Sequence, residues 1–155
     1  MRLIADTGGI VAAMNTAEPD HERYRATLES AALAVITPLV ITEVHYLLSS
    51  VGAQESAQDF LEDVAGGFYE LAASAPEDYT QAGGLIKRYA GKIERKRRKP
   101  GSLDLADAMN IVIAGRYGTN LLLATDQDYR ITQPLSGHHY FVLLPQDSAD
   151  TGGAG

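Results

Sequence analysis

Apolar residues in this chain fall into short runs separated by stretches with a three-to-four-residue repeat, and the two alternate from end to end. The short runs predict strands at residues 3–5, 33–36, 68–71, 121–124 and 140–144, and the repeats predict helices between them. The first strand runs into Asp6 and a short helix through Val11 and Met14. Asp20 is placed to cap a helix over 21–31. Thr37-Pro38 gives a start signal, with Thr37 as N-cap and Pro38 in the first turn, for a helix that reaches Val51 and ends at Gly52. A helix over 54–64 is broken by Gly66-Gly67, and Ser74 and Pro76 open another that reaches Tyr89. Pro100-Gly101 interrupts the pattern, Ser102 caps a helix over 103–117, and Gly118 closes it. Strands joined through helices predict a largely parallel sheet covered on both faces, a three-layer α/β/α domain over residues 1–146. The small, polar tail 147–155 is expected to be disordered.

In open sheets of this kind the functional crevice lies beyond the carboxyl ends of the strands. Asp6 follows the first strand directly, and Asp126 follows the strand at 121–124 by one residue. Two further acids sit where packing favours apolar side chains. Glu43 lies three residues after Val40 and four before Leu47, on the stripe Val40, Val44, Leu47, Leu48, Val51. Asp107 lies four from both Leu103 and Ile111. A carboxylate facing inward must be protonated, paired with a cation or bound to a metal. Four such acids meeting at one edge would repel one another unless a divalent cation sat among them. An all-oxygen set suits Mg²⁺ or Mn²⁺ better than Zn²⁺. Asp6, Glu43, Asp107 and Asp126 are the candidate metal-binding and catalytic residues. Asp104, in a first helical turn, reads mainly as structural, and Asp6, Asp126 and Asp128 all stand where a capping role is an alternative. Thr7 and Thr125 are placed to hydrogen-bond the acids, or to serve local turns.

Composition narrows the field. At 155 residues without cysteine, the chain has neither disulfides nor a thiolate zinc site, and a reducing, cytoplasmic setting is expected. No charged-then-apolar leader and no membrane-length apolar run is evident. A net charge of −7 argues against general wrapping of nucleic acid. Yet eight of the 13 cationic residues lie between Lys87 and Lys99, and Lys92, Arg95, Lys96, Arg97, Arg98 and Lys99 form a candidate RNA-binding segment, or else a solvated loop. His21, His45, His138 and His139 are not spaced as ligands or as a general base.

Taken in order, these segments resemble the PIN domain, and in particular the VapC-type toxins of bacterial toxin–antitoxin pairs. Leu3-Ile4-Ala5-Asp6-Thr7 resembles the family's opening strand and first acid; Thr42-Glu43-Val44 with Tyr46-Leu47-Leu48 resembles its second motif. Leu105-Ala106-Asp107-Ala108 resembles the third, which places that acid on Asp107 rather than Asp104. The run from Leu123 through Thr125, Asp126 and Asp128 to Tyr129 resembles the fourth, a strand, Thr, acid and later aromatic. Gly8-Gly9, which leaves no polar side chain after Thr7, and the long basic run depart from the family's pattern. The resemblance implies endonucleolytic RNA cleavage, inhibition by a cognate VapB-like antitoxin and a homodimer. The carboxylates themselves support metal-assisted phosphodiester hydrolysis. Alternatives are an RNA-processing PIN nuclease outside any toxin–antitoxin pair and a non-catalytic acidic pocket that receives a partner's cation. Asp6-Thr7-Gly8 also resembles an aspartic-protease signature, but the segment 111–115 that would supply its second half lies inside a capped helical pattern.

Overall fold

The computed structural model describes residues 1–94, 100–101 and 103–148. In chain order the elements are β1 (Arg2–Ala5), α1 (Thr7–Met14), α2 (His21–Ser30), β2 (Leu33–Ile36), α3 (Pro38–Ser50), α4 (Gln54–Ala65) and β3 (Glu70–Leu71). They continue as α5 (Pro76–Arg88), β4 (Ile93–Glu94), β5 (Pro100–Gly101), α6 (Leu105–Arg116), β6 (Leu121–Leu123), a 3₁₀ turn (Gln127–Ile131) and β7 (Val142–Leu144). Five strands form one parallel sheet in the order β3-β2-β1-β6-β7. β4 and β5, on either side of residues 95–99, pair antiparallel apart from that sheet.

Side-chain alternation along the strands builds a core on each face of the sheet. Ile4, Val35, Leu122 and Leu143 pack on the side of α5 and α6, with Met109, Ile111 and Ile113. Leu3, Ala5, Ala34, Ile36 and Leu123 pack on the other side, with Ile10, Val40, Leu48 and Phe60 of the first four helices. Every one of these positions is nearly inaccessible to water, as a strand covered on both faces requires. The three-layer α/β/α architecture is the one the sequence pattern predicts.

Strand order places the crevice. From β1 the chain steps outward through β2 to β3, then returns to the other side of β1 with β6 and β7. Adjacent strands entered from opposite directions leave an opening at their carboxyl ends. The ends of β1 and β6 are held together there, with the Asp6 N–H donating to Leu123 O at 2.9 Å.

Several local expectations are corrected. α6 begins at Leu105 rather than 103, because the Asp104 carboxylate accepts from the Asp107 N–H at 2.9 Å and takes the capping role. Ser102 lies outside the described residues. Asp20 precedes α2 without a capping bond from its side chain, whereas Thr37 does cap α3, accepting from the Val40 N–H at 3.3 Å. On α3 the buried stripe is Val40, Val44 and Leu48 only; Leu47 and Val51 face water. β3 and β7 are shorter than the runs 68–71 and 140–144. Gly118 closes α6 with φ +64°, a conformation that disfavours other residues. Of the tail, Asp147 and Ser148 are described: Asp147 pairs with Arg130 at 2.8 Å and accepts from the Leu143 N–H, so residue 147 still belongs to the folded domain. Among the described residues no helix is long and apolar enough to cross a membrane.

Candidate metal centre

Asp6 is carried to the crevice by β1 and stands before α1 with only 5% of its surface exposed. Its side chain makes no capping bond to that helix. Asp107 arrives on α6, the helix that covers the face of the sheet lined by Ile4, and is 9% exposed. Because Asp104 sets the start of α6, Asp107 lies in its first turn, where the helix dipole favours a negative charge. Asp126 leads into the 3₁₀ turn, half-buried, and its Oδ1 accepts from the Asp128 N–H at 2.8 Å. Asp128 is likewise half-buried. Glu43 is half-buried on α3, less inward than its place on the helix suggested, because the apolar stripe beside it is narrower. The buried Thr7 hydroxyl donates to Glu43 Oε2 at 2.7 Å and so ties the second acid to the residue after the first.

Gly8 and Gly9 let these elements close up. The nearest neighbour to a Cβ at Gly8 would be Thr125 Oγ1 at 2.1 Å, so the exposed Thr125 packs over α1 where a side chain would otherwise stand. At Gly9 a Cβ would meet Leu123 O at 2.2 Å, which presses the start of α1 against the end of β6.

The resulting electrostatics are those of two buried carboxyls, Asp6 and Asp107, with the exposed Asp104 and the half-buried Asp126 beside them. Burial, chiefly, pushes the Asp6 carboxyl up to about 7, with Asp126 and Asp104 adding repulsion against the lowering effect of the Thr7 backbone N–H. Burial likewise pushes Asp107 up to about 8, with repulsion from Asp6, Asp104 and Asp126. Asp104, read from the sequence as mainly structural, is both the α6 cap and part of this cluster.

Two residues at the site were not singled out as site residues from the sequence. Asn110, fully buried, donates to Asp6 Oδ1 at 2.9 Å and to the Tyr129 hydroxyl oxygen at 3.1 Å. Tyr129, also buried, donates to Asp107 Oδ1 at 3.1 Å and packs edge-on against Phe141. The legible signal was an amide three residues after Asp107 inside an otherwise apolar stretch of helix.

As placed, no group of three or more His, Cys, Asp or Glu side chains among the described residues is arranged to hold a metal ion. The chemistry of the donors nonetheless fits a hard divalent cation. The donors are carboxylate oxygens, and the charge on the Asp6 and Asp107 carboxyls is disfavoured first by burial and then by neighbouring acids, a cost that a cation relieves. Glu43 and Asp126 are only half-buried, so their side chains keep room to turn toward an ion. Of the candidate RNA contacts, Lys92 is exposed and Arg95–Lys99 lie outside the described residues.

Comparison with known proteins agrees with this architecture. The chain is 29% identical over 143 residues to Ribonuclease VapC26 of Mycobacterium tuberculosis, spanning 91% of this chain and 99% of that one. Its fold matches the crystal structure of Mycobacterium tuberculosis VapC20, described as a sarcin-ricin loop cleaving toxin, with a TM-score of 0.67 at 16% identity, over 81% of this chain and 91% of that one. Residues 3–133 match the model of the PIN domain, from β1 through the 3₁₀ turn that carries Tyr129. The chain belongs to the PIN domain family.

Proposed function

We propose that this protein is a divalent-metal-dependent endoribonuclease of the VapC type, the toxin of a toxin–antitoxin pair. The observation that carries the reading is the meeting of two buried acids, Asp6 at the end of β1 and Asp107 on α6, at the switch between β1 and β6. The likeness to Ribonuclease VapC26 along nearly the whole chain supports it.

Asp6, Glu43, Asp107 and Asp126 would hold Mg²⁺ or Mn²⁺. When bound, the ion supplies positive charge against the scissile phosphate and acidifies the attacking water. The rest is done by the chain. Thr7 keeps Glu43 against the opening, Asp104 fixes the start of α6 and thereby the position of Asp107, and Asp126, reaching solvent, orients water on the open side. The basic run from Lys92 to Lys99 gives an otherwise acidic chain a contact for the RNA backbone. The described chain on either side of residues 95–99 forms the β4–β5 pair, and β4 packs against the 3₁₀ turn that follows Asp126. A VapB-like antitoxin, cytoplasmic action and a homodimer complete the proposal.

Incubating the purified protein with a mixed RNA pool tests it. Cleavage should require Mg²⁺ or Mn²⁺, stop with EDTA and disappear in Asp6→Asn. Cleavage that persists in EDTA or in Asp6→Asn contradicts the assigned centre.

A further inference from the structure

A neutral bridge runs beneath the acids. Burying an amide among Ala108, Met109, Ile111 and Ile113, as α6 does with Asn110, costs free energy unless hydrogen bonds replace those to water. Asn110 Nδ2 spends both of its hydrogens, one on Asp6 Oδ1 and one on the Tyr129 oxygen. The Tyr129 hydrogen then has one direction left, to Asp107 Oδ1. With both acids ionised, as a bound cation requires, donor and acceptor roles are fixed along the whole chain of bonds: the carboxylates accept, and each gives one named oxygen to the bridge. Flipping the amide would set its oxygen against the Asp6 carboxylate, so the orientation is fixed as well.

Asn110 Oδ1, also buried, has no hydrogen-bond partner among the described residues. An amide that leaves its own oxygen unpaired is a poor choice for core stability, where an apolar residue of similar size would do better. What it does provide is a donor at the right place for Asp6 and for Tyr129. Tyr129 is in turn held by burial and by the Phe141 ring at 6.1 Å.

We propose that Asn110 and Tyr129 are positioning residues, which fix the separation and orientation of the Asp6 and Asp107 carboxylates toward a divalent cation. This inference rests on the reading of those acids as a metal site. Groups that orient metal ligands by hydrogen bonds typically change metal affinity by roughly 10- to 100-fold when removed. Asn110 holds Asp6 and Tyr129 holds Asp107, and the bond between the two couples them, so their losses should fall short of multiplying in full.

Calorimetric titration of MnCl₂ into the full chain tests this, with Asp6→Asn, Tyr129→Phe, Asn110→Leu and the last two combined, each also melted without metal. Tyr129→Phe and Asn110→Leu should each weaken Mn²⁺ binding about tenfold. The combination should weaken it by less than the product of the two single losses, and metal-free Tyr129→Phe should melt within a few degrees of the parent. Mn²⁺ affinity within about twofold of the parent in Tyr129→Phe overturns the positioning role. If Asn110→Leu does not fold, Tyr129→Phe, which loses one oxygen and no shape, decides alone. A parent that binds no Mn²⁺ overturns the metal reading together with this one, whereas a binding parent with an unaffected Tyr129→Phe overturns only the bridge.

Discussion

Asp107→Asn is expected to slow RNA cleavage by at least about a hundredfold, the upper end of what groups beside a metal ligand cost, while stabilising the metal-free protein near pH 8. The two effects share one cause. Asp107 is buried beside Asp6, Asp104 and Asp126, so its charge is unfavourable in the folded chain until a cation arrives. A neutral amide of the same shape keeps an oxygen for the Tyr129 hydroxyl and removes the repulsion, a change worth on the order of 1 kcal/mol or more. The pH profile follows with its sign. Unfolded, an aspartate titrates near 3.8; folded, Asp6 holds its proton to about 7 and Asp107 to about 8. Between those limits the folded state binds more protons than the unfolded one, so metal-free stability falls as pH rises from about 4 to 8 and the loss is complete above that. Melting curves in EDTA across this range should show the decline in the parent and a shallower one in Asp107→Asn. A parent that gains stability from about pH 5 to 8, or an Asp107→Asn protein that cleaves normally, contradicts the assignment.

The second large effect is expected from a single methyl group. Gly9→Ala lies in the first turn of α1, where alanine ordinarily favours a helix by up to about 1 kcal/mol. Here the new Cβ would stand 2.2 Å from Leu123 O and 2.6 Å from Leu123 C. That carbonyl cannot move aside, because it also accepts from the Asp6 N–H. α1 must therefore lift from the end of β6, which parts Asp6 from the strand that leads to Asp126. We expect a net loss of about 3 kcal/mol or more, a fall in melting temperature of roughly 6–12 °C, and weaker cleavage in the fraction that folds. Gly8→Ala should cost less, since its obstacle, the Thr125 hydroxyl, is the end of a side chain. Circular dichroism melts of both variants check this, and a Gly9→Ala protein as stable as the parent would refute the close approach.

These two substitutions also mark where the sequence was and was not readable. The sheet was legible because strands buried on both faces leave unbroken apolar runs at 3–5, 33–36 and 121–124, and the crevice followed from the acids at their ends. Asp107 was legible as an anomaly, a charge on an apolar face. Glu43 was placed too deep, because Leu47 and Val51 look like core residues on a helical projection yet face water. The start of α6 was misplaced because Ser102 and Asp104 are both good caps, and which one caps is decided by tertiary placement. The bond from Asn110 through Tyr129 to Asp107 was out of reach: it joins residues whose proximity exists only once α6 and the 3₁₀ turn are packed together. The Gly8-Gly9 pair looked like a missing polar contact, whereas its physical use is to admit Thr125 and Leu123.

The most direct measurement is a crystal of this protein soaked in MnCl₂ and recorded at the manganese absorption edge. An anomalous peak is expected at the carboxyl ends of β1 and β6, with Asp6 and Asp107 oxygens at about 2.1 Å from it. Crystals that show no manganese at these two carboxylates, or show it only elsewhere on the molecule, contradict the assigned centre.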